Sequence, residues 1–383
     1  MDRNKSIVLA LQLILWAACL FVISWSWDRW LLNGPHGPYR WTGMDFAPYW
    51  VGAREMLNGI DPYQAETTLK TQELVYGGPA LGEDPMMFVY PAWMFILIAP
   101  FSLMPFQWAV ILYSGSLLWG MLNFLFKIAS SLGSGNFRAQ AFWLIWLTIG
   151  SLPFLVISVT KGQLGYFSLL ALFAAFYARE QKPYPAGVFL SLALIKPTVT
   201  AIPVAGFLLW ALLKKDWKLL AGFSGSIAVL LAGSFLSAGN WLSGYFNMLG
   251  INGGMPVLWS MEILPMPWNL LYAALFVGIM LFSSFISFKG TRDHWFAAFV
   301  LGGIALTPMR WIYDLFLGIL ILTSKRDFTP QEAALAGLAI LSPWVLIFIP
   351  EAARWNTAVI GIPLVWAAYL VVSLFSAQRR QPQ

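Results

Sequence analysis

Long apolar runs, broken by short clusters of glycine, proline and charge, dominate the chain. Twelve read as candidate spans. They are Ser6–Trp27, Gln107–Ile128, Ala139–Val159, Leu164–Ala178, Tyr184–Ile195, Thr198–Leu213, Trp217–Ala238, Asn269–Phe288, Trp295–Thr307, Trp311–Thr323, Ala333–Ile349 and Thr357–Phe375. Several fall short of the roughly 20 residues a straight spanning helix needs. The pattern therefore predicts tilted, broken or re-entrant helices among them. Phe88–Pro105 is also apolar, but Pro91, Pro100 and Pro105 interrupt it, and it reads as a helix lying in the interface.

Charge orients the pattern. With Phe88–Pro105 kept out of the span count, most basic residues of the short loops and termini fall on one side, among them Arg3, Lys127, Arg138, Lys214, Lys215 and Arg380. Counting that segment as a span would turn Lys127, Arg138, Arg179 and Lys182 to the opposite side and weaken the bias. The positive-inside rule then places both termini in the cytoplasm. Two substantial loops lie outside, 28–107 and 239–268. On that outer face the topology gathers Asp45 with Arg54, Lys161-Gly162-Gln163, Lys196-Pro197, and Arg310 through Asp314.

Composition agrees with the pattern. The chain of 383 residues is 59% hydrophobic and 10% charged, against about 25% charged in soluble domains. The expected fold class is all-α and polytopic, one integral membrane domain over 1–383, with interfacial helices in the first outer loop. The net charge of +6 is spread over loops, which argues for topology and against nucleic acid. The 21 tryptophans suit belts at headgroup level. Cys19, the single cysteine, lies inside the first run, so no intrachain disulfide forms. Arg3 and Lys5 ahead of Ser6–Trp27 resemble a signal sequence, but no small-residue cleavage site closes the run, and it reads as a retained anchor.

A few polar residues stand out against this background. Lys196 sits in the otherwise apolar stretch Ala186–Leu213. A lysine at membrane depth costs about 2.5–3.5 kcal/mol, so it calls for an anionic partner or a wet cavity, unless it snorkels from a helix end. Pro197 removes a backbone donor and breaks the helix there. Lys161-Gly162-Gln163 reads as a tight outer turn whose Lys and Gln suit a phosphate or a sugar hydroxyl, or as a plain polar turn. Arg310 and Asp314, four apart with Tyr313 beside Asp314, form either a helical ion pair or a phosphate and hydroxyl site. Asp45, among Trp41, Phe46, Tyr49 and Trp50, either caps the following helix or acts as a general base. Asp61-Pro62-Tyr63 reads as a turn. His36 and His294 show no metal-ligand spacing, and neither a P-loop nor a dinucleotide fingerprint is present.

The motifs, in order, are Asp45-Phe46 with Tyr49-Trp50, Gly59-Ile60-Asp61-Pro62-Tyr63, Val89-Tyr90-Pro91, Gly162-Gln163, Leu194-Ile195-Lys196-Pro197, and Thr307-Pro308 ahead of Tyr313-Asp314-Leu315. This series resembles glycosyltransferase family 87, membrane enzymes of the glycosyltransferase C superfamily, over about Trp41 to Leu320. The resemblance implies an essential acidic residue in the first outer loop, matched by Asp45. It also implies a sugar donor carried on a polyprenyl phosphate. Characterised members include mannosyltransferases with a histidine in the late motif, where this chain has Tyr313-Asp314. Those members put mannose first among the sugars, with other hexoses or pentoses as alternatives, while the departure from their histidine weakens the case for mannose and leaves the base as Asp45 or Asp314.

The reaction so implied moves one sugar to a glycan or glycolipid hydroxyl at the extracytoplasmic face by single displacement. Lys196, Arg310 or Lys161 would stabilise the leaving phosphate. Gln163, Tyr49, Tyr90, Arg54 and Tyr313 would contact substrate. No cofactor is required, and the acidic outer loop allows at most weak Mg²⁺ binding. Short loops suit a bacterial plasma membrane. The rival reading is a transporter or flippase of a lipid-linked glycan, which broken helices and a buried lysine would also suit. Against it, the sequence has no clear internal repeat.

Overall fold

The computed structural model describes residues 3–133, 135–251, 264–288, 292–307, 312–324, 328–349 and 360–379. Arg310, Arg354, Pro308 and the loop 252–263 lie outside these residues. Helix dominates, and among the described residues five helices are long and apolar enough to cross a membrane: Ser6–Trp27, Phe106–Leu132, Phe137–Lys161, Trp217–Ala238 and Trp268–Ser287. Shorter apolar helices of 10–17 residues fall in other predicted runs. Trp108, Trp217 and Trp268 are exposed at the N-terminal ends of their helices and Trp25 near the end of the first. Such positions suit rings anchored at headgroup level.

The chain divides into two compact units. The first comprises Met1–Leu122, Ile157–Phe167 and Ser224–Gly254. It opens with α1 (Arg3–Trp27) and a hairpin, β1 (Leu31–Gly34) and β2 (Gly37–Arg40), paired antiparallel from Leu31 opposite Arg40 to Gly34 opposite Gly37. The sequence points to interfacial helices in this loop and gives no sign of a hairpin. Pro35-His36 makes a two-residue turn between the paired Gly34 and Gly37, the latter at φ +111°, and folds this stretch into a ribbon instead.

A 3₁₀ turn, Met44–Phe46, then runs directly into α2 (Ala47–Leu57). Pro48 sits in the first turn of α2, where its missing N–H is not needed. The helix α3 (Ala65–Tyr76) packs on α2. Between them Asp61 Oδ1 accepts from the Tyr63 amide at 3.0 Å, making the predicted turn. Phe88–Pro105 contributes a 3₁₀ turn, Ala92–Met94, and α4 (Phe95–Ser102). Eight helical residues reach only about 12 Å, too little to cross a bilayer. Phe46 is fully buried, stacked on Tyr113 at 4.7 Å with Phe101 and Tyr49 edge-on to it. The α5 helix spans Phe106–Leu132, α6 Phe137–Lys161 and α7 Leu164–Ala178; of α6 and α7 only Ile157–Phe167 belongs to this unit.

The second unit comprises Asn123–Val156, Ser168–Phe223 and Met255–Gln383. Its elements include α8 (Pro183–Ala193) and α9 (Pro197–Leu213), the two halves of a helix interrupted at Leu194–Lys196. They are followed by α10 (Trp217–Ala238), α11 (Leu242–Ile251), α12 (Trp268–Phe288) and α13 (Arg292–Leu306), of which α11 and much of α10 belong to the first unit. A 3₁₀ helix, Ile312–Ser324, comes next, then α14 (Pro330–Phe348) and α15 (Ile362–Arg379). Thr329 and Glu332 close a capping box at the start of α14. The α13 helix packs against α12, α9 and the 3₁₀ helix. At about 2 Å per residue, thirteen 3₁₀ residues reach roughly 26 Å where an α-helix would reach about 20 Å. The tighter winding thus lengthens a run that sequence alone made too short to span.

Candidate functional site

In the first unit the α6–α7 corner carries Lys161, Gly162 and Gln163. Gly162 adopts φ +79°, its amide bonds the Val159 carbonyl at 3.2 Å, and the Gln163 amide bonds the Ser158 carbonyl at 2.8 Å. This is the Schellman pattern that ends helices on a left-handed glycine. A side chain at Gly162 would meet Phe46, since a Cβ built there lies 2.7 Å from the Phe46 Cβ. The Gly43 amide caps the Thr160 carbonyl at 2.7 Å. Two glycines thus press the α6 corner onto the turn that carries Asp45.

The Asp45 carboxylate is the product of that contact. Gln163 Nε2 donates to Asp45 Oδ2, and Lys161 Nζ lies 3.8 Å from Asp45 Oδ1. The ammonium also sits 4.1 Å from the centre of the Trp41 ring, whose Nε1 donates to Thr160 Oγ1 at 3.3 Å. The capping alternative for Asp45 is not what forms: the N-cap of α2 is Phe46, with no side-chain cap. The carboxylate is 17% exposed, shielded but open to a small partner. Gln163 is buried, and its Oε1 has no partner among the described residues.

Tyr49 is buried and Tyr90 half-buried. Tyr49 Oη donates to Tyr90 Oη at 2.8 Å, and Tyr63 Oη donates to the Tyr90 carbonyl at 2.5 Å. The network ties the Asp45 helix to the Val89-Tyr90-Pro91 and Asp61-Pro62-Tyr63 motifs. Burial, with smaller contributions from Tyr245 and Asp61, pushes the Tyr63 phenol well above its ordinary range. Tyr76 is raised in the same direction, chiefly by burial and then by Asp84, Tyr39, Glu83 and Asp45. Neither phenol ionises near neutral pH, so neither serves as a base there. Arg54 lies on the exposed side of α2 with its guanidinium 4.6 Å from the centre of the Trp50 ring.

The second unit holds the other cluster. Pro197 starts α9 and cannot donate to the Ala193 carbonyl one turn back. Thr200 Oγ1 donates to that carbonyl at 2.6 Å, and the Lys196 amide donates to Ser168 Oγ at 3.2 Å. The break is therefore hydrogen-bonded on both sides, as irregular backbone at membrane depth must be. Lys196 projects from it and is 3% exposed. Its Nζ lies 2.7 Å from Asp314 Oδ1 and 2.9 Å from Oδ2. The snorkelling alternative is thereby replaced by a sealed, bidentate ion pair. The sequence motifs named both residues but coupled Asp314 to Arg310, which lies outside the described residues, as does the Tyr313 side chain.

Sequence reasoning overlooked Thr160, Gly43, Ser168 and Thr200, whose roles are backbone geometry and hydrogen bonding. Thr200, three residues after Pro197, was the only one of these with a sequence signal. No group of three or more His, Cys, Asp or Glu that could hold a metal occurs among the described residues.

No curated protein and no solved structure matches the chain. The family model of glycosyltransferase family 87 matches residues 88–314. The matched stretch holds Tyr90, Lys161, Gln163 and Lys196, ends at Asp314, and leaves Asp45 upstream. Since it covers more than half of the chain, this multi-pass membrane protein belongs to glycosyltransferase family 87 and is a membrane glycosyltransferase.

Proposed function

We propose that the protein transfers one sugar, mannose first among the candidates, from a polyprenyl monophosphate to the hydroxyl of a glycan or glycolipid at the extracytoplasmic face of a bacterial plasma membrane. The reading adopts a glycosyltransferase C-type fold with both termini cytoplasmic. The acceptor oxygen attacks the anomeric carbon, and Asp45 takes its proton. The bond from the anomeric carbon to the phosphate oxygen breaks, and its electron pair leaves with the lipid phosphate. No metal is assigned to this step.

The observation that carries the reading is the Asp45 carboxylate, held by Gln163 and Lys161 and not used to cap a helix. Gln163 accordingly orients the base, and Lys161 favours its ionised form. Asp314 is the weaker candidate base because both of its oxygens are engaged by Lys196. Lys196, a buried cation on a broken helix, is our candidate for the donor phosphate, with Asp314 as its counter-charge while no donor is bound.

Transfer of radiolabelled sugar from a panel of short-chain polyprenyl-phosphate sugars, by purified wild type and Asp45→Asn, tests the reading. Label reaching an acceptor with wild type alone supports it and names the donor. Folded wild type that transfers from none of the donors would overturn it.

A further inference from the structure

A groove of about 450 Å³ runs between α2 and α3 in the first unit, lined in part by Trp50, Arg54, Glu55, Asn58, Lys70 and Glu73. Its charges balance. Lys70 Nζ bonds Glu55 Oε2 at 2.7 Å, so this pair is neutralised, with the carboxylate buried beneath the lysine. Arg54 and Glu73 remain, both exposed and neither in an ion pair among the described residues. Arg54 is braced on the Trp50 ring, and Asn58 Nδ2 is turned to the Arg54 carbonyl, which leaves its Oδ1 as an acceptor.

We infer that this groove is a subsite for a neutral saccharide, the part of a glycan acceptor remote from the reacting hydroxyl. Each sugar hydroxyl both donates and accepts, so a groove that presents a guanidinium, a carboxylate and an amide oxygen matches it. The apolar stem of Arg54 and the Leu74 side chain offer contact to the C–H faces of the ring. An anionic ligand meets the Glu73 carboxylate with no net positive charge to offset it. The placement fits the reaction: the turn bearing Asp45 continues into α2, with Trp50 five residues and Arg54 nine residues further on. In helical rise those are roughly 7.5 and 13.5 Å. The inference rests on the proposed glycan acceptor but not on Asp45 being the base.

Saturation-transfer NMR on detergent-solubilised protein, with methyl glycosides of neutral disaccharides as probes, tests it. Wild type, Asp45→Asn and the double variant Arg54→Ala/Glu73→Ala are compared, with inorganic phosphate as competitor. Both altered side chains are exposed, and the double variant is confirmed folded by its melting transition. The expected result is binding of at least one disaccharide to wild type and to Asp45→Asn, weakened about tenfold or more in the double variant. Phosphate should not displace it. Absence of binding to wild type, equal binding to the double variant, or displacement by phosphate would each overturn the inference. Loss of transfer in Asp45→Asn with binding intact separates the subsite from the assignment of the base.

Discussion

Lys196 and Asp314, 118 residues apart in sequence, close a bidentate ion pair with Nζ 2.7 and 2.9 Å from the two carboxylate oxygens. Both side chains are almost wholly withdrawn from solvent. Such pairs seldom add stability, because desolvating two charges offsets their attraction. A pair kept purely for packing is replaceable by apolar residues of similar volume.

That distinction defines the first prediction. Lys196→Met and Asp314→Leu, made singly, each strand a buried charge and should destabilise by about 3–5 kcal/mol. The double variant should regain stability close to wild type, read as its melting temperature in detergent, yet remain inactive in sugar transfer. An active double variant would reduce the pair to a structural element.

Asp45 gives a different pattern. Asp45→Asn should fold normally and lose about 10²–10⁴-fold in turnover, the usual share of general-base catalysis. Gln163→Leu removes a hydrogen bond that favours the ionised carboxylate, and Lys161→Met removes a nearby cation. Both substitutions should make the base easier to protonate. The acid limb of the pH–rate profile should therefore move to higher pH, with partial activity restored at alkaline pH. A drop in rate at every pH without such a displacement would mean that the two residues do not act through Asp45.

Much of this was legible in the chain because membrane burial makes polar residues conspicuous. Lys196, Asp314, Asp45 and the Lys161–Gln163 turn each stood out against apolar surroundings. Their partners were not legible. Lys196 called for an anionic partner, but that the partner is Asp314, 118 residues further on, is a long-range pairing that no local spacing encodes. The β1–β2 ribbon was missed because its strands are only four residues each, and its Gly and Pro signals also describe an ordinary loop. The groove between α2 and α3 was invisible because Lys70 and Glu73 look like any solvated helical face until α2 is packed beside them.

Thr200 tests how the broken helix is maintained. Its hydroxyl satisfies the carbonyl that Pro197 strands, so Thr200→Val keeps the shape and leaves a buried acceptor unpaired. A loss of about 1–3 kcal/mol is expected, read as a lower melting temperature. Thr200→Ser keeps the hydroxyl and should retain most of that stability. Equal melting of Thr200→Val and wild type would show that Pro197 leaves nothing to satisfy.

Gly162 joins backbone conformation to the carboxylate it helps to position. At φ +79°, a non-glycine residue carries left-handed strain of about 1–3 kcal/mol. A methyl group there would also press on Phe46, the fully buried ring in the Asp45 turn. Gly162→Ala should therefore lower both stability and transfer rate. Adding Phe46→Leu would open space at the contact but leave the strain, so the double variant should recover rate more than stability. Phe46→Leu alone, measured in parallel, separates those effects. If Gly162→Ala melts and turns over like wild type, neither the left-handed corner nor its contact with Phe46 is what positions Asp45.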